Sequence, residues 1–402
     1  ETLIKIISTL QHRELLKGNT TVMYDHNSNH ALPESYNGLG YMNLIGMIFE
    51  IEVLLSDFRK DSKKGELPAD INLLFIEEPE AHTHPQMQYV FIKNIKDILN
   101  KASKGSADKM KFALQTIITT HSSHITAQSE FADLKYFVRS AINQVQAKNI
   151  KDLKGAYSDN ERYQFLKQYL TINRTELFFA DKVVLIEGDT ERLLLTSIMR
   201  KMDIESKDDG LMPLLSQNIS VVEVGAHSQI FETLIEFLEL KTLIITDIDT
   251  FKMEVALDKF NKPRINKKTK EEIKYRKKCR VTEAEGYGNN AIKLFTNSIA
   301  FSDLQLIEVG QSICHKNEGK WKIDPEGKLY LAFQLAEGEY HARSYEDAFF
   351  AVNRDFILNN IEKFQSLKNK GYIEDLDPYE FAEECIDHKT GFALDILYAS
   401  DE

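Results

Sequence analysis

The chain of 402 residues lacks several features that would assign it to a common class. Its three cysteines, Cys279, Cys314 and Cys385, are far apart, which argues against both a disulfide framework and a zinc site and fits a reducing compartment. No stretch approaches the roughly 18 uninterrupted apolar residues of a membrane span. The chain does not open with a charged segment followed by an apolar block, so no secretory signal is visible. We therefore expect a cytoplasmic protein with no membrane partner.

Overall positive charge is also missing, since the net charge is −12. A protein that coats DNA non-specifically usually presents a basic face, so the total argues against simple electrostatic coating. The total hides an asymmetry, however. Between Lys252 and Arg280 there are twelve Lys or Arg residues against four acids.

The third absence is a phosphate-binding loop, because the sequence contains no G-x-x-x-x-G-K-S/T. Any phosphate cradle is expected to lie upstream of Glu1. By itself, this chain is not expected to bind ATP in the normal way.

The first notable feature is an apolar run that ends in acids. Ile71–Ile76 has strand length and is predicted to be a parallel strand buried on both faces, and Glu77 and Glu78 follow it directly. A second predicted strand, Thr116–Thr120, ends at His121. Adjacent carboxylates suit nucleotide hydrolysis, since one can hold the water shell of Mg²⁺ and the other can orient the attacking water. The alternative is a strand end with acidic caps.

Helices are predicted around these strands. The apolar residues from Leu3 to Leu10 have a helical pattern, and helices are also predicted over Leu44–Phe58 and Met87–Leu99. Strand, helix and strand in this order predict an α/β layer.

A second α/β region follows and is predicted to form a parallel sheet with ligands at the carboxyl ends of its strands. Its residues alternate between strand and helix patterns and return to strands after the Lys-rich stretch. The predicted strands are Lys182–Ile186, Ile219–Val224, Thr242–Thr246, Leu304–Val309 and Lys328–Phe333, and the first three are separated by helices near Glu191–Arg200 and Gln229–Leu238.

Carboxylates mark two strand ends in this second region. Glu187 and Glu191 are four apart across a strand-to-helix turn, and Asp247 and Asp249 are two apart at another strand end. Side chains alternate along a strand, so the two aspartates are expected to point the same way. Four converging carboxylates repel one another unless cations neutralise them, and oxygen ligands favour Mg²⁺ or Mn²⁺.

The first acidic motif resembles the ABC-type ATPases. The run Glu77 to Pro85, followed by Thr119 to Ser122, is similar to their Walker B, D-loop and H-loop series, in the branch shared by SMC/Rad50-like and OLD-family proteins. Those proteins dimerise head to tail, which implies a homo-oligomer, a dimer or larger, built through the ATPase domain. The resemblance implies a Mg²⁺-shell acid at Glu77, a catalytic base at Glu78, a γ-phosphate sensor at His121 and a signature position around Gly38 and Gly40.

The second motif resembles the Toprim domain of topoisomerases, primases and OLD nucleases, which carry a Glu after the first strand and an Asp-x-Asp after a later one. The resemblance implies two divalent cations. One would lie near Glu187, Asp247 and Asp249, which count as catalytic, and the other near Glu191 and a later acid.

Two later segments also resemble the OLD branch. The run Tyr340 to Phe349 is similar to its further acidic motif and offers Glu346 or Asp347 as a metal ligand, with Glu346 favoured. Lys389 matches the late catalytic lysine of the family, with a solvated helix-end lysine as the alternative. Arg343 is either a DNA-phosphate contact or the partner of an acid in the cluster.

The Lys-rich stretch carries aromatic residues among its cations, and it directly follows Asp249. It is either a DNA-contacting segment or a solvated loop. The residues proposed for DNA contact in it are Lys267, Lys268, Arg276 and Lys277.

The chain is therefore predicted to be α/β, with the C-terminal part of an ABC-type ATPase over residues 1–128, a mainly helical connection over 129–178 and a Rossmann-like Toprim domain over 179–402. A Lys-rich insertion occupies about 251–300. By resemblance, the expected function is metal-dependent DNA cleavage, by nicking or double-strand cutting, regulated by ATP. The expected biological role is anti-phage defence, with a helicase-like partner subunit or retron nucleic acid as possible partners.

Two other functions stay open at this stage. One is a nucleic-acid-binding ATPase of DNA repair or recombination whose Toprim fold is not catalytic. The other is a topoisomerase-like strand transferase, which would need a tyrosine nucleophile among sixteen tyrosines, none marked by its context.

Overall fold

The computed structural model divides the chain into two compact units, each with its own apolar core. Unit 1 comprises Glu1–Asp152 with Lys167–Thr175, and unit 2 comprises Leu153–Leu166 with Glu176–Glu402. The residues described are 3–8, 20–27, 30–33, 36, 38–61, 65–104, 111–157, 159–173 and 175–400.

The first described element of unit 1 belongs to an antiparallel sheet, so the predicted helix is wrong over Leu3–Ser8, while Leu10 lies outside the described residues. The β-branched residues Ile4, Ile6 and Ile7 favour an extended backbone, and pairing with the next strand fixes it. The strands are β1 (Leu3–Ser8), β2 (Thr20–Asn27) and β3 (His30–Pro33).

The predicted helix, strand, helix and strand that follow are all present. The two strands pair in parallel from Asn72 opposite Leu114 to Glu77 opposite Thr119. The elements are α1 (Leu39–Arg59), β4 (Asn72–Glu77), α2 (Pro85–Lys104), β5 (Leu114–Thr119) and the short α3 (Ser123–Gln128).

One strand face in this unit is open, so the prediction that β4 is buried on both faces is wrong. Leu74 and Ile76 are buried in the cluster formed with α1 and α2. Leu73 and Phe75, on the opposite face, are 47% and 61% exposed. In the part of unit 1 that the structure describes, helices cover one side of this two-stranded sheet, which is why burial alternates along β4 although its sequence is largely apolar.

Among the described residues, α1 is the one helix long and apolar enough to cross a membrane, on length and composition alone, which is weak support for a span.

The remaining elements before the second sheet are a hairpin and two α-helices. A hairpin of β6 (Lys135–Ala141) and β7 (Gln144–Asn149) is followed by α4 (Leu153–Ala156) and α5 (Asn160–Asn173).

Unit 2 is built on a six-stranded sheet. Four neighbouring strands of this sheet pair in parallel, as predicted, and an antiparallel hairpin extends the sheet at one edge. In spatial order the strands are β15 (Lys320–Ile323), β14 (Ile313–Asn317), β16 (Leu329–Ala332), β10 (Lys241–Ile245), β8 (Lys182–Ile186) and β9 (Ile219–Glu223).

The strand predicted over Leu304–Val309 is wrong, because a short helix ends at Leu304 and turns follow it. Leu306 and Val309 are 77% and 84% exposed, so this apolar pattern does not mark a buried face. The helices of this part are α6 (Asp189–Glu205), α7 (Glu232–Leu238), α8 (Asn290–Phe295) and α9 (Phe301–Leu304).

The Lys-rich stretch contains strands. It forms an antiparallel sheet of β11 (Thr250–Val255), β12 (Lys274–Lys278) and β13 (Gly286–Tyr287), with β11 in the middle. A small hairpin of β17 (Ala336–Glu337) and β18 (Tyr340–His341) follows β16.

Three C-terminal helices complete unit 2 around an aromatic core. Phe350, Phe364, Phe381 and Phe392 are fully buried in it, and the Phe350 and Phe381 rings stack with centroids 3.9 Å apart. This packing fixes the N-terminal ends of α10 and α12. The helices are α10 (Tyr345–Asn359), α11 (Pro378–Cys385) and α12 (Lys389–Ala399).

Candidate functional site: a carboxylate cluster at the sheet edge

The site is centred on the carboxyl ends of two neighbouring strands. Because β8 and β10 pair in parallel, the residues that follow them lie side by side. Glu187 follows β8, and its Oε1 accepts hydrogen bonds from the Thr246 hydroxyl and from the Asp247 amide at 3.3 Å. The Glu187 carboxylate is thereby held against the end of β10.

Asn289 completes the support of Glu187 and was not identified from the sequence. Its side-chain Nδ2 lies 3.2 Å from Glu187 Oε1, 2.7 Å from Thr246 Oγ1 and 2.8 Å from the Asp247 carbonyl oxygen. Its Oδ1 accepts the Ala291 amide and so caps α8. An asparagine before a helix signals a cap, but nothing in the sequence links it to Glu187.

The two aspartates differ in geometry and in partners. Both lie beyond the end of β10, and Asp249 has a left-handed backbone with φ of 53°, so the strand-alternation argument does not apply to them. Asp247 Oδ1 accepts from Gln334 Nε2 at 2.6 Å, and its Oδ2 is 3.9 Å from Lys389 Nζ. Asp249 Oδ1 is 3.1 Å from the Arg343 guanidinium.

Gln334 and Gly288 hold the loop after β10, and the sequence analysis missed both. Gln334 Oε1 accepts the Ile248 amide at 2.9 Å, so one side chain binds two points of the loop. The Gly288 amide donates to the Asp249 carbonyl at 2.8 Å, and a Cβ at Gly288 would lie 3.1 Å from that oxygen. Glycine at this position permits the close approach.

Glu191 lies in the first turn of α6, as predicted. Its Oε2 accepts the Gly188 amide at 3.0 Å. Burial raises the pKa of Glu191, and the negative charges of Glu346 and Glu187 raise this pKa further. Those couplings place Glu191 among the acids of the same cluster.

The structure separates the roles of the two acids at the start of α10. The carboxylate of Asp347 accepts hydrogen bonds from the Tyr340 hydroxyl, the Arg343 amide, and the amide and hydroxyl of Ser344. It is therefore occupied as the acidic member of the capping box that begins α10, whose N-cap is Ser344. Glu346, also buried, instead accepts from Lys389 Nζ at 2.9 Å.

The acidic side chains of the cluster outnumber the cationic side chains that contact them. Burial raises the pKa of Asp247 to about 8, with Lys389 opposing and Glu346 and Glu187 adding to the rise. Burial also raises the pKa of Glu187, against the hydrogen bond from Thr246. Positive charge in contact with the acids comes from Lys389 and Arg343.

The donor chemistry of the cluster fits a hard divalent cation. The acids offer only carboxylate oxygens, and few cationic side chains contact them. The acids are not drawn to one point, however. In the part of the chain that the structure describes, no group of three or more His, Cys, Asp or Glu side chains could hold a metal ion as they stand.

The acid pair of unit 1 has fewer contacts. Glu77 is the last residue of β4, and Glu78 has a left-handed backbone with φ of 42° and donates its amide to the Thr119 carbonyl at 3.0 Å. His121 Nε2 lies 3.5 Å from Glu78 Oε1. The parallel pairing of β4 and β5 thus brings together two of the residues proposed for nucleotide binding.

The predicted signature segment lies at the N-terminus of α1. Gly38 is the N-cap, and a Cβ at Gly40 would lie 2.7 Å from the His82 carbonyl oxygen, so only glycine permits this approach. Asn37 lies outside the described residues.

Glu80 Oε1 accepts the His121 amide at 2.6 Å, while its Oε2 is buried without a partner in the described chain.

The residues proposed for DNA contact in the Lys-rich stretch fall into two groups. Lys267 and Lys268 are exposed on a turn. The Arg276 guanidinium lies 4.4 Å from the Phe251 ring centroid, and Lys277 Nζ lies 2.9 Å from the Glu254 carboxylate.

Two family models match the chain. One describes an AAA ATPase domain and matches residues 1–126, and the other describes the TOPRIM domain of overcoming lysogenization defect protein-like sequences and matches residues 178–249. These matches confirm the class predicted from the motifs. The chain is a mixed α/β protein in which an ATPase region is followed by an OLD-like TOPRIM domain.

Three curated relatives are similar to this chain. The endonuclease GajA of Bacillus cereus is 29% identical, with 94% of this chain and 52% of the relative covered. The Old nuclease of Escherichia phage P2 is 21% identical, covering 59% and 37% respectively. The OLD nuclease of Thermus scotoductus is 23% identical, covering 57% and 38%. The chain thus spans about half the length of the first relative and less of the other two.

Proposed function

We propose that the protein is a DNA endonuclease that depends on Mg²⁺ or Mn²⁺, cuts phosphodiester bonds at the cluster around Glu187 and is regulated by its ATPase region. The supporting observation is that acids from three stretches of the chain lie around the ends of β8 and β10, and that Lys389 contacts two of them, Asp247 and Glu346. The names of the three relatives, all nucleases, support the same reaction class. The cluster consists of Glu187, Glu191, Asp247, Asp249, Glu346 and Lys389.

We assign one cation to Glu187, Asp247 and Asp249, and a second to Glu191 and Glu346. Bound Mg²⁺ or Mn²⁺ would supply an activated water and stabilise negative charge on the departing oxygen. Asp347 keeps its place in the capping box of α10, since four donors already bind its carboxylate.

The two cationic side chains have separate roles in this proposal. Lys389 is 60% exposed at the start of α12 while its Nζ contacts Glu346, so its charge is available both to the acids and to a phosphate. A fixed positive charge at this point stabilises the additional charge of the transition state. Arg343 is mostly buried against Asp249, and we assign it to orient that acid and to meet a DNA phosphate.

The ATPase region is proposed to control cutting through Glu77, Glu78 and His121. ATP would bind at a dimeric site completed by a phosphate loop and by the signature segment at Gly38 and Gly40. Homo-oligomers, dimers or larger, would then form through this region. The resemblance to OLD proteins extends the proposal to anti-phage defence in the cytoplasm, with a helicase-like subunit or retron nucleic acid as partner.

Plasmid cleavage tests the proposal. The parent, Glu187→Gln and the control Glu205→Gln are compared with Mg²⁺ and with Mn²⁺. Glutamine can still accept the hydrogen bonds of Thr246 and Asn289, so the fold is expected to persist, whereas Glu205 is exposed at the far end of α6. We expect at least roughly a 100-fold loss for Glu187→Gln and none for the control.

Two results would count against the proposal. If Glu187→Gln cuts like the parent, the site is wrongly assigned. If denaturant traps a covalent protein–DNA adduct, the protein is a strand transferase and not a hydrolase.

A further inference from the structure

The Lys-rich stretch forms a defined arm. Its stem is the ladder of β11 and β12, which pair from Phe251 opposite Lys278 to Val255 opposite Lys274. Its tip comprises residues 256–273. We use stem and tip for these two parts.

Backbone hydrogen bonds order the tip. The Ala256 amide donates to the Ile273 carbonyl, the Ile273 amide to the Arg264 carbonyl, and the Arg264 amide to the Ala256 carbonyl, each at 2.7 Å. Two turns close the tip. The Asp258 carboxylate accepts the amides of the first turn, and the Asn266 side chain accepts an amide of the second.

The cations of the stem are largely engaged within the protein. Arg276 covers the ring of Phe251, and three of the four stem lysines lie against an acid, while Lys274 is exposed. The pairs are Lys252 with Glu283 at 2.6 Å, Lys277 with Glu254 at 2.9 Å, and Lys278 with Glu383.

The base of the stem is tied to the helices of the candidate site. Arg280 lies 2.7 Å from Asp377 and 3.2 Å from Glu380, at the start of α11. That helix packs on α10 through the stacked rings of Phe350 and Phe381. Since α10 begins beside the acid cluster, the arm has a fixed attachment to the elements that hold the cluster.

The tip differs from the stem in charge. It carries six cations against three acids, all of the six are exposed, and none makes an ion pair within the described chain. Phe260 is also 71% exposed there, 5.3 Å below the Lys259 ammonium. The six are Lys259, Lys262, Arg264, Lys267, Lys268 and Lys270.

We propose that the tip is a separate DNA-holding element, which binds the phosphate backbone of duplex DNA outside the acid cluster, while the stem acts as a strut in which most of the lysines are paired with acids. A chain with a net charge of −12 repels a polyanion over most of its surface. The unpaired cations of the ordered tip are therefore where the phosphate backbone of DNA is attracted most strongly. The choice of DNA as the polyanion rests on the proposed function.

Duplex binding tests this division of the arm. A labelled duplex is titrated at several salt concentrations with the Glu187→Gln chain, which prevents cutting, and with two further forms of it. One adds K267Q/K268Q in the tip and the other adds K252Q/K278Q in the stem, so each loses two positive charges. Thermal unfolding checks that all three are folded.

We expect the tip form to bind more weakly, on the order of tenfold, and to lose about 0.9 from the salt slope for each phosphate contact removed. The stem form is expected to match its parent, because its lysines are already neutralised. A tip form indistinguishable from its parent overturns the inference, even if the protein cuts plasmid. Equal losses in tip and stem overturn it as well.

The outcomes also separate this inference from the proposed function. Weaker binding by the tip form alone, with no cutting by the unsubstituted protein, supports the tip assignment and refutes the nuclease assignment. If the Glu187→Gln chain without further substitutions does not bind the duplex at low salt, the tip is not a DNA-holding element.

Discussion

The two acidic strand ends of this chain look alike in sequence and differ in structure. Glu77 and Glu78 are exposed, and the Glu78 carboxylate lies 3.5 Å from His121 Nε2, while its backbone hydrogen-bonds with Thr119 and Ala81. Glu187 instead has three protein donors on one oxygen and is largely withdrawn from solvent. The acids of the second site are held by side chains of their own unit, whereas Glu77 and Glu78 stay exposed.

Sheet context explains the difference. Among the described residues, β4 has one strand neighbour and an open face, and the acids that end it are exposed. β8 lies inside a six-stranded sheet, where loops after β10 and β16 and the cap of α8 reach the same edge. An apolar strand ending in Glu-Glu or Glu-Gly therefore does not by itself say how organised a site is.

The largest effect that would sharpen this comparison is expected at Lys389. Lys389→Ala removes the cation that contacts Glu346 and approaches Asp247. We expect DNA cleavage to fall by about 10²–10³-fold, comparable to the loss of one transition-state charge donor. Single-turnover plasmid cleavage measures it, with Lys201→Ala, on exposed α6 surface, as the control. Equal rates for the two variants would make Lys389 a solvated helix-end residue.

A second large effect is expected in unit 1. In a form of the protein that carries a phosphate-binding loop, Glu78→Gln should lower ATP turnover by about 10²-fold, the lower end of the usual contribution of a general base. Steady-state phosphate release measures it, and Glu50→Gln on exposed α1 surface is the control. Unchanged turnover would remove Glu78 from the ATPase assignment.

A smaller effect is expected from cations. If the acids around Glu187 bind Mn²⁺, a ligand at 100 times its Kd stabilises the folded state by about 2.7 kcal/mol. Thermal unfolding with and without MnCl₂ should show a higher Tm for the parent and a reduced rise for Glu346→Gln. A rise of the same size in both would place the bound ion elsewhere.

The smallest effect concerns Asn289, whose side chain both caps α8 and supports Glu187. Asn289→Ala should lower the free energy of unfolding by roughly 2 kcal/mol, from the lost cap and the unpaired acceptors. Urea unfolding measures it against Asn290→Ala, the exposed neighbour. If both variants unfold alike, Asn289 does not organise the cluster.

Much of the fold could be predicted because periodicity and order along the chain carry it. The strands at Lys182, Ile219 and Thr242 and the helix–strand order of unit 1 are present as predicted. The errors at Leu3 and Leu304 arose where apolar residues fit two patterns and only pairing or burial decides. Burial of β4 on both faces was also wrong, because cover on a sheet face is not a local property.

The candidate site could be predicted as a set of acids but not as a geometry. Strand ends and spacing identified Glu187 and the two aspartates. The prediction that the aspartates point the same way assumed an extended strand, whereas Asp249 lies in a loop and has a left-handed backbone. Asn289 binds Thr246, which lies about 40 residues before it, and Gln334 binds Asp247, about 90 residues before it. No spacing rule predicts contacts between residues so far apart in sequence. The capping role of Asp347 depends on donors in the preceding turn.

The most direct test of the account compares one acid from each strand end in the same assay. Plasmid cleavage with Mn²⁺ is measured for the parent, Glu187→Gln and Glu78→Gln, without added ATP. If the Glu187 cluster is the cutting centre and the Glu78 pair only controls it, Glu187→Gln loses cleavage and Glu78→Gln retains it. Cleavage that survives Glu187→Gln and disappears with Glu78→Gln would contradict the account.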